Sequence, residues 1–144
     1  LVLAEDPIAE PETPSGSVTL SLGTASQTWA EDTHSAYGTG YVTTVEGFKI
    51  AFYQNQSSTA PSGGLKDDHI RVYQGSNLVI SSTEGKKIKS VSITCTGDKT
   101  GPISVGGTEY TAEGGVITWT GEADVFDANC VKQTRVASLA IVAE

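Results

Sequence analysis

The chain has 144 residues, sixteen glycines, five prolines, two cysteines, no methionine and a formal net charge of −8. A chain of this size forms one domain that buries roughly two thirds of its unfolded surface without metal or dense disulfides. Its charge excludes a nucleic-acid partner, whose phosphates it would repel, and no apolar run approaches the roughly eighteen residues that span a bilayer.

Residues 1–17 combine three prolines with four acidic residues and end in Ser-Gly-Ser. Such a stretch buries too little apolar surface to fold alone, and its prolines keep it extended, so it reads as a tether. The alternative is that Val2 and Ile8 pack along the edge of the following domain. The first residue is Leu1, and no charged segment with an apolar core follows, as in a mature chain freed of its leader. Any membrane attachment is then expected through an N-terminal anchor outside this chain.

Residues 18–144 are expected to form one domain of strands. Val18, Leu20 and Leu22 alternate with hydroxyl residues before Gly23 ends the run. Around residues 25–33 lies the one predicted helical piece, a short turn capped by Ser26. Phe48, Ile50 and Phe52 then form a bulky inward face, with Lys49, Ala51 and Tyr53 opposite. Residues 55–66 hold Ser, Pro and Gly too densely for a strand and predict a long loop of the kind that is often functional. From Asp67 to Thr96 three period-two runs follow one another. Ile70 and Val72 alternate with His69, Arg71 and Tyr73; Leu78 and Ile80 follow Gly75-Ser76-Asn77; Val91, Ile93 and Cys95 follow Glu84-Gly85-Lys86. That is an antiparallel meander. Further runs at 103–105, 109–111, 116–119, 123–126 and 133–142 bring the expectation to nine or ten strands in an all-β, antiparallel two-sheet β-sandwich.

The segments HIRVYQGSNLVISS, GKKIKSVSIT, ITWTGEADVF and QTRVASLAIV, in that order, resemble a β-sandwich domain recurrent in surface and secreted lipoproteins of Bacteroidetes-type gut bacteria. The resemblance covers residues 47–142. It implies a jelly-roll-like fold, a place outside the cell or on its surface, and a role in adhesion or glycan capture. Arg71, Tyr73, Trp119 and Arg135 match as motif positions, without an assigned role.

Motifs that carry catalysis are missing. There is no Gly-x-Ser-x-Gly, His-Glu-x-x-His, calcium loop or phosphate loop. Zinc ligation would need both His34 and His69 plus distant carboxylates, so no metal site and no cofactor are expected. Glu31-Asp32 and Asp67-Asp68 are the candidate carboxylate pairs for glycoside hydrolysis, although adjacent acids at strand and turn ends ordinarily serve solubility.

Binding has more material. Strand parity places His69, Arg71 and Tyr73 on one outward face, where a tyrosine ring can stack on a sugar while Arg bonds its hydroxyls. The same three residues also suit an ordinary solvated sheet face. Tyr53 extends the set on its own strand. Trp29, in a polar neighbourhood, is either an exposed stacking platform or a cap on the core; Trp119, within an apolar run, belongs to the core. Cys95 and Cys130 suffice for one disulfide, which would close a loop of about 36 residues and contribute roughly 4 kcal/mol. Spacing does not choose between that bridge and a buried thiol at Cys95. The sequence thus predicts a non-catalytic extracellular module whose partner is a glycan or another surface protein. The competing reading is a structural or protein-interaction domain without a small ligand.

Overall fold

The computed structural model describes residues 16–144. The proposed tether therefore lies outside the described residues except for its last two, as do Val2 and Ile8. Twelve strands form: β1 Val18–Ser21, β2 Ala30–His34, β3 Gly38–Val45, β4 Phe48–Tyr53, β5 Ile70–Val72, β6 Asn77–Ser82, β7 Ile88–Thr100, β8 Ile103–Val105, β9 Thr108–Tyr110, β10 Val116–Ala123, β11 Val125–Cys130 and β12 Thr134–Ala143. One sheet runs β1-β12-β7-β10, with β5 continuing the β1 edge against β12. The other runs β2-β3-β4-β6-β11-β8-β9. All the pairings are antiparallel, and the two sheets pack face to face as a sandwich.

Nested pairing defines the topology. β1 pairs β12, β6 pairs β11, β7 pairs β10 and β8 pairs β9. With β2–β5 set aside, the chain is one long antiparallel hairpin doubled back at β8–β9 and rolled up, the defining arrangement of a jelly roll. Its tip is Gly106-Gly107, with φ of 60° and 87°. A two-residue hairpin turn of matching twist needs positive φ at both positions, and glycine adopts it without strain. Strands β2–β5 are an insertion between the first two strands of the roll; three of them widen the second sheet.

The core lies between the sheets and is built by alternation. From one side come Leu20, Ile70, Val72, Val91, Ile93, Ile117, Leu139 and Ile141, and from the other Ile50, Phe52, Leu78, Ile80, Ile103 and Phe126. β-branched and aromatic side chains fit this pleated, interdigitated layer. Trp119 is buried and meets Phe126 edge-on at 5.1 Å.

Two expectations change. Residues 25–33 are not helical: Ser26 Oγ donates to the carbonyl of Ser21 at 2.9 Å instead of capping a helix, and the chain proceeds into β2. The one helical piece among the described residues is a 3₁₀ turn, Pro61–Gly64, inside the long loop. Among the described residues the strands number twelve, at least two more than expected, because β2 and β3 were not foreseen. β2 is polar on both faces, as an edge strand can be, and β3 carries glycines at 38 and 40 that weaken a strand pattern. Cys95 and Cys130 are unbridged thiols, Cys130 in the core and Cys95 half-buried. Burial pushes the Cys95 thiol up to about 11 and Cys130 up to about 12.

Candidate functional site

The two ends of the sandwich differ in their loops. At one end the β3–β4, β6–β7 and β10–β11 turns are short, and Gly16 lies against Ala143 and Lys86. The other end gathers residues 54–59, the β5–β6 turn, the β7–β8 connection and the β11–β12 turn around an open cleft of about 750 Å³. Its wall is polar. Gln56, Ser57, Thr59 and Gln133 supply amides and hydroxyls, Lys99 and Lys132 supply positive charge, Asp98 is the one carboxylate, and Tyr73 is the one aromatic ring.

Hydrogen bonds fix this wall. Gln56 N–H donates to the Gly75 carbonyl at 3.3 Å, and Ser76 Oγ donates to that of Gln54 at 3.2 Å, joining two of the loops. Gly75 N–H donates to Cys130 O, and Cys130 N–H to Ser76 O, each at 2.8 Å. Ser57 Oγ accepts from Thr59 N–H at 3.0 Å. The Tyr73 hydroxyl donates to the Gly63 carbonyl at 2.8 Å, which sets the ring against the 3₁₀ turn. A wall held in place before the ligand arrives loses little ordering entropy on binding.

Behind the cleft, the outer face of the seven-stranded sheet carries a polar network. One register row crosses six strands as Asp32, Gly40, Tyr53, Asn77, Asn129 and Ser104. A Cβ on Gly40 would lie 2.4 Å from Cδ1 of Tyr53. Only glycine there lets the Tyr53 ring lie across β3, where its hydroxyl donates to Asp32 Oδ2 at 2.6 Å. The β2–β3 hairpin folds over this row. Tyr37 stacks on His34 at 4.4 Å, His34 sits 4.9 Å from the Tyr53 ring, and the Tyr37 hydroxyl donates to Asp127 Oδ2 at 2.5 Å. The other Asp127 oxygen accepts from Asn77 Nδ2 at 2.6 Å, and Asn77 Oδ1 accepts from Asn55 and Asn129. The bond to Asp127 and burial raise the Tyr37 hydroxyl to about 12. Burial and the bond to Asp32 hold Tyr53 far above the ordinary tyrosine range, and that same hydrogen bond lowers Asp32.

The five sequence-predicted site residues therefore separate. Tyr73 lines the cleft. Arg71 and His69 continue along the same face of β5, with Arg71 Nε donating to His69 Nε2 at 3.4 Å and His69 Nδ1 bonded to Asp68 at 2.6 Å. Tyr53 stands on the predicted outer face but is 2 % exposed, because the hairpin covers it. Trp29 is half-buried and packs edge-on against Phe52 at 5.5 Å, with Nε1 donating to the Gly23 carbonyl. It caps the core and is not a free platform. Sequence reasoning missed Lys99, at the end of β7, and Lys132 and Gln133, in the β11–β12 turn, which converge only through the fold; the long loop containing Gln56 and Ser57 was the legible signal.

The candidate carboxylates are spoken for. Asp32 is bound by Tyr53, its neighbour Glu31 projects from the opposite face of β2, and Asp67 accepts from Thr24 Oγ1 at 3.4 Å. His34 ends β2 of the seven-stranded sheet whereas His69 precedes β5 of the five-stranded one, and among the described residues no three metal-binding side chains gather. No family model, curated protein or solved structure matches the chain, so none of these comparisons ties it to the surface-lipoprotein domains whose motifs it resembles.

Proposed function

We propose that the protein is a non-catalytic, extracellular or cell-surface module that binds glycans at the loop-end cleft. The observation that carries this reading is the cleft itself: a preformed, open, polar wall of amides and hydroxyls around one tyrosine ring. Sugars use that combination, with the ring on their apolar face and donors and acceptors on their hydroxyls. The described chain enters beside Ala143, at the opposite end. A tether attached there would present the cleft outward. Motif resemblance supports the bacterial surface location, and the engagement of Asp32 and Asp67 in other hydrogen bonds supports a binding role over hydrolysis.

A shallow cleft with one stacking ring binds weakly, with Kd of about 0.1–1 mM per site, and gains retention through multiple copies. The test is a broad glycan array probed with clustered protein. Tyr73→Ala should abolish retention at an unchanged far-UV spectrum, whereas Trp29→Ala should chiefly cost stability. If the wild-type protein retains no glycan, the reading falls.

One observation favours the second reading, a protein-interaction module. The outer face of the five-stranded sheet holds the row Thr19, Ala140, Ser92 and Thr118 and the row Ser21, Ser138, Thr94 and Val116, both made of small side chains and free of charge.

A further inference from the structure

Among the described residues, the cations of this acidic chain are divided between the ends. Lys86, Lys87 and Lys89, at the end away from the cleft, pair with Glu84, Asp124 and Glu122, and Lys49 is 3.9 Å from Asp32. Arg71, Lys99, Lys132 and Arg135 form no ion pair with any described residue, and neither does Lys66, which lies outside the cleft wall. Lys99 and Lys132 stand in the cleft wall. Arg71 and Arg135, the chain's only two arginines, are direct cross-strand partners on β5 and β12. They lie one step along the same strand faces from Tyr73 and Gln133 of that wall.

Stability does not account for this placement. Like charges directly opposite each other in a ladder are unfavourable, and Nε of Arg135 is buried without a hydrogen-bond partner among the described residues, which costs free energy that a neutral residue would avoid. Chance spacing is a poor account as well, since a chain with 17 acidic residues against 9 basic ones has carboxylates to spare. Among the described residues, Lys99 and Lys132 line a cleft whose only carboxylate is Asp98, and the Arg71–Arg135 pair stands next to Tyr73 and Gln133 of its wall.

We propose that Arg71, Arg135, Lys99 and Lys132 form an anion-selecting subsite continuous with the cleft, and that the ligand is an acidic polysaccharide carrying uronate or sulfate groups. The half-buried guanidinium groups of Arg71 and Arg135 offer forked donors that match a carboxylate or sulfate. Lys99 and Lys132 hold a neighbouring anionic group, Tyr73 stacks on the sugar between them, and Asp98 accepts from a hydroxyl. This inference rests on the glycan-binding reading of the same cleft and specifies its ligand.

Affinity electrophoresis of the whole chain in polygalacturonate, chondroitin sulfate, dextran and polyglutamate tests it. Retention by at least one acidic polysaccharide and not by dextran is expected, falling about tenfold or more as salt rises from about 50 to about 300 mM. The polygalacturonate and chondroitin sulfate arms distinguish uronate from sulfate as the recognised group. Arg71→Gln and Arg135→Gln should each weaken retention about tenfold, with melting temperatures no lower than wild type. Lys132→Gln, at an exposed position, repeats the test without touching the sheet. Retention by dextran that none of these substitutions alters would overturn the anionic subsite and leave the glycan reading standing. No retention by any polysaccharide overturns both, and equal retention by polyglutamate overturns the sugar specificity.

Discussion

The two sheets share one core, yet their outer faces are organised in opposite ways. On the seven-stranded sheet a row of Tyr, Asn and Asp is bonded side chain to side chain and covered by its own hairpin, so that Tyr53 is 2 % and Asn77 4 % exposed. On the five-stranded sheet two rows hold only Ser, Thr, Ala and Val116, and Thr19, Thr94 and Thr118 are open to solvent. The difference shows that an outward-facing position in a sandwich is not a surface position by default. A polar face that is covered must satisfy its hydrogen bonds internally, and that requirement makes Asp127, Asn77 and Gly40 structural residues. The solvent-open rows of Ser and Thr carry no such requirement.

The sharpest way to break the contrast is Asp127→Ala. It removes the acceptor of the Tyr37 hydroxyl and that of Asn77 Nδ2 together, and a buried donor left unpaired costs about 1–3 kcal/mol. A total near 3 kcal/mol is expected, seen as a melting temperature roughly 10 °C lower. A loss below about 1 kcal/mol would show that the hairpin is held by stacking and not by this network. Because Asn77, Asn129 and Asn55 also position the cleft loops, the same variant should weaken glycan retention.

Much of the core was legible before the structure. The alternation at Ile70 and Val72, at Leu78 and Ile80, and at Val91 and Ile93 reports burial directly, because the side-chain period of a strand is local. It also placed Arg71 and Tyr73 on one face. Nested pairing was not legible: β1 joins β12 across almost the whole chain, and no local pattern selects a partner so distant. The pairing of Arg71 with Arg135 was hidden for that reason, as was the convergence of Lys99 and Lys132. Tyr53 was misread for a different one. Parity gives the face of a sheet, but whether a hairpin such as residues 34–38 folds over it depends on the contacts of Tyr37 with a strand ninety positions away.

Alkaline titration separates the faces more gently. Tyr37 ionises at 10.0 in the unfolded chain and at about 12 in the fold, so the stability from its neutral form is complete below pH 10 and is lost as pH rises towards 12. Tyr53 shifts in the same direction, and the two thiols, raised from 9.0 to about 11 and about 12, add a loss that begins near pH 9. Urea unfolding at stepped pH should therefore show stability falling above pH 9. Tyr37→Phe should be about 1–2 kcal/mol less stable at neutral pH and should fall less steeply between pH 10 and 12. An equal slope in the variant would mean that Tyr37 is free to ionise in the fold and that the hairpin does not cover it.

The smallest effect is expected on the open face. Thr118 is exposed in β10, in line with Ser92, Ala140 and Thr19. Replacing it by Ala forfeits only the modest strand preference of a β-branched residue, so the change should stay within about 0.5 kcal/mol in thermal or urea unfolding. The measurement gains force when repeated at a low and a high protein concentration. If this face is bare, the result does not depend on concentration, and the contrast with Asp127→Ala stands at several-fold. If it packs against a second copy, the uncharged rows become a core between two sheets; Thr118→Lys then lowers the melting temperature only at high concentration, where the copies associate. That outcome would show that the five-stranded face is covered after all, by another molecule instead of by its own hairpin.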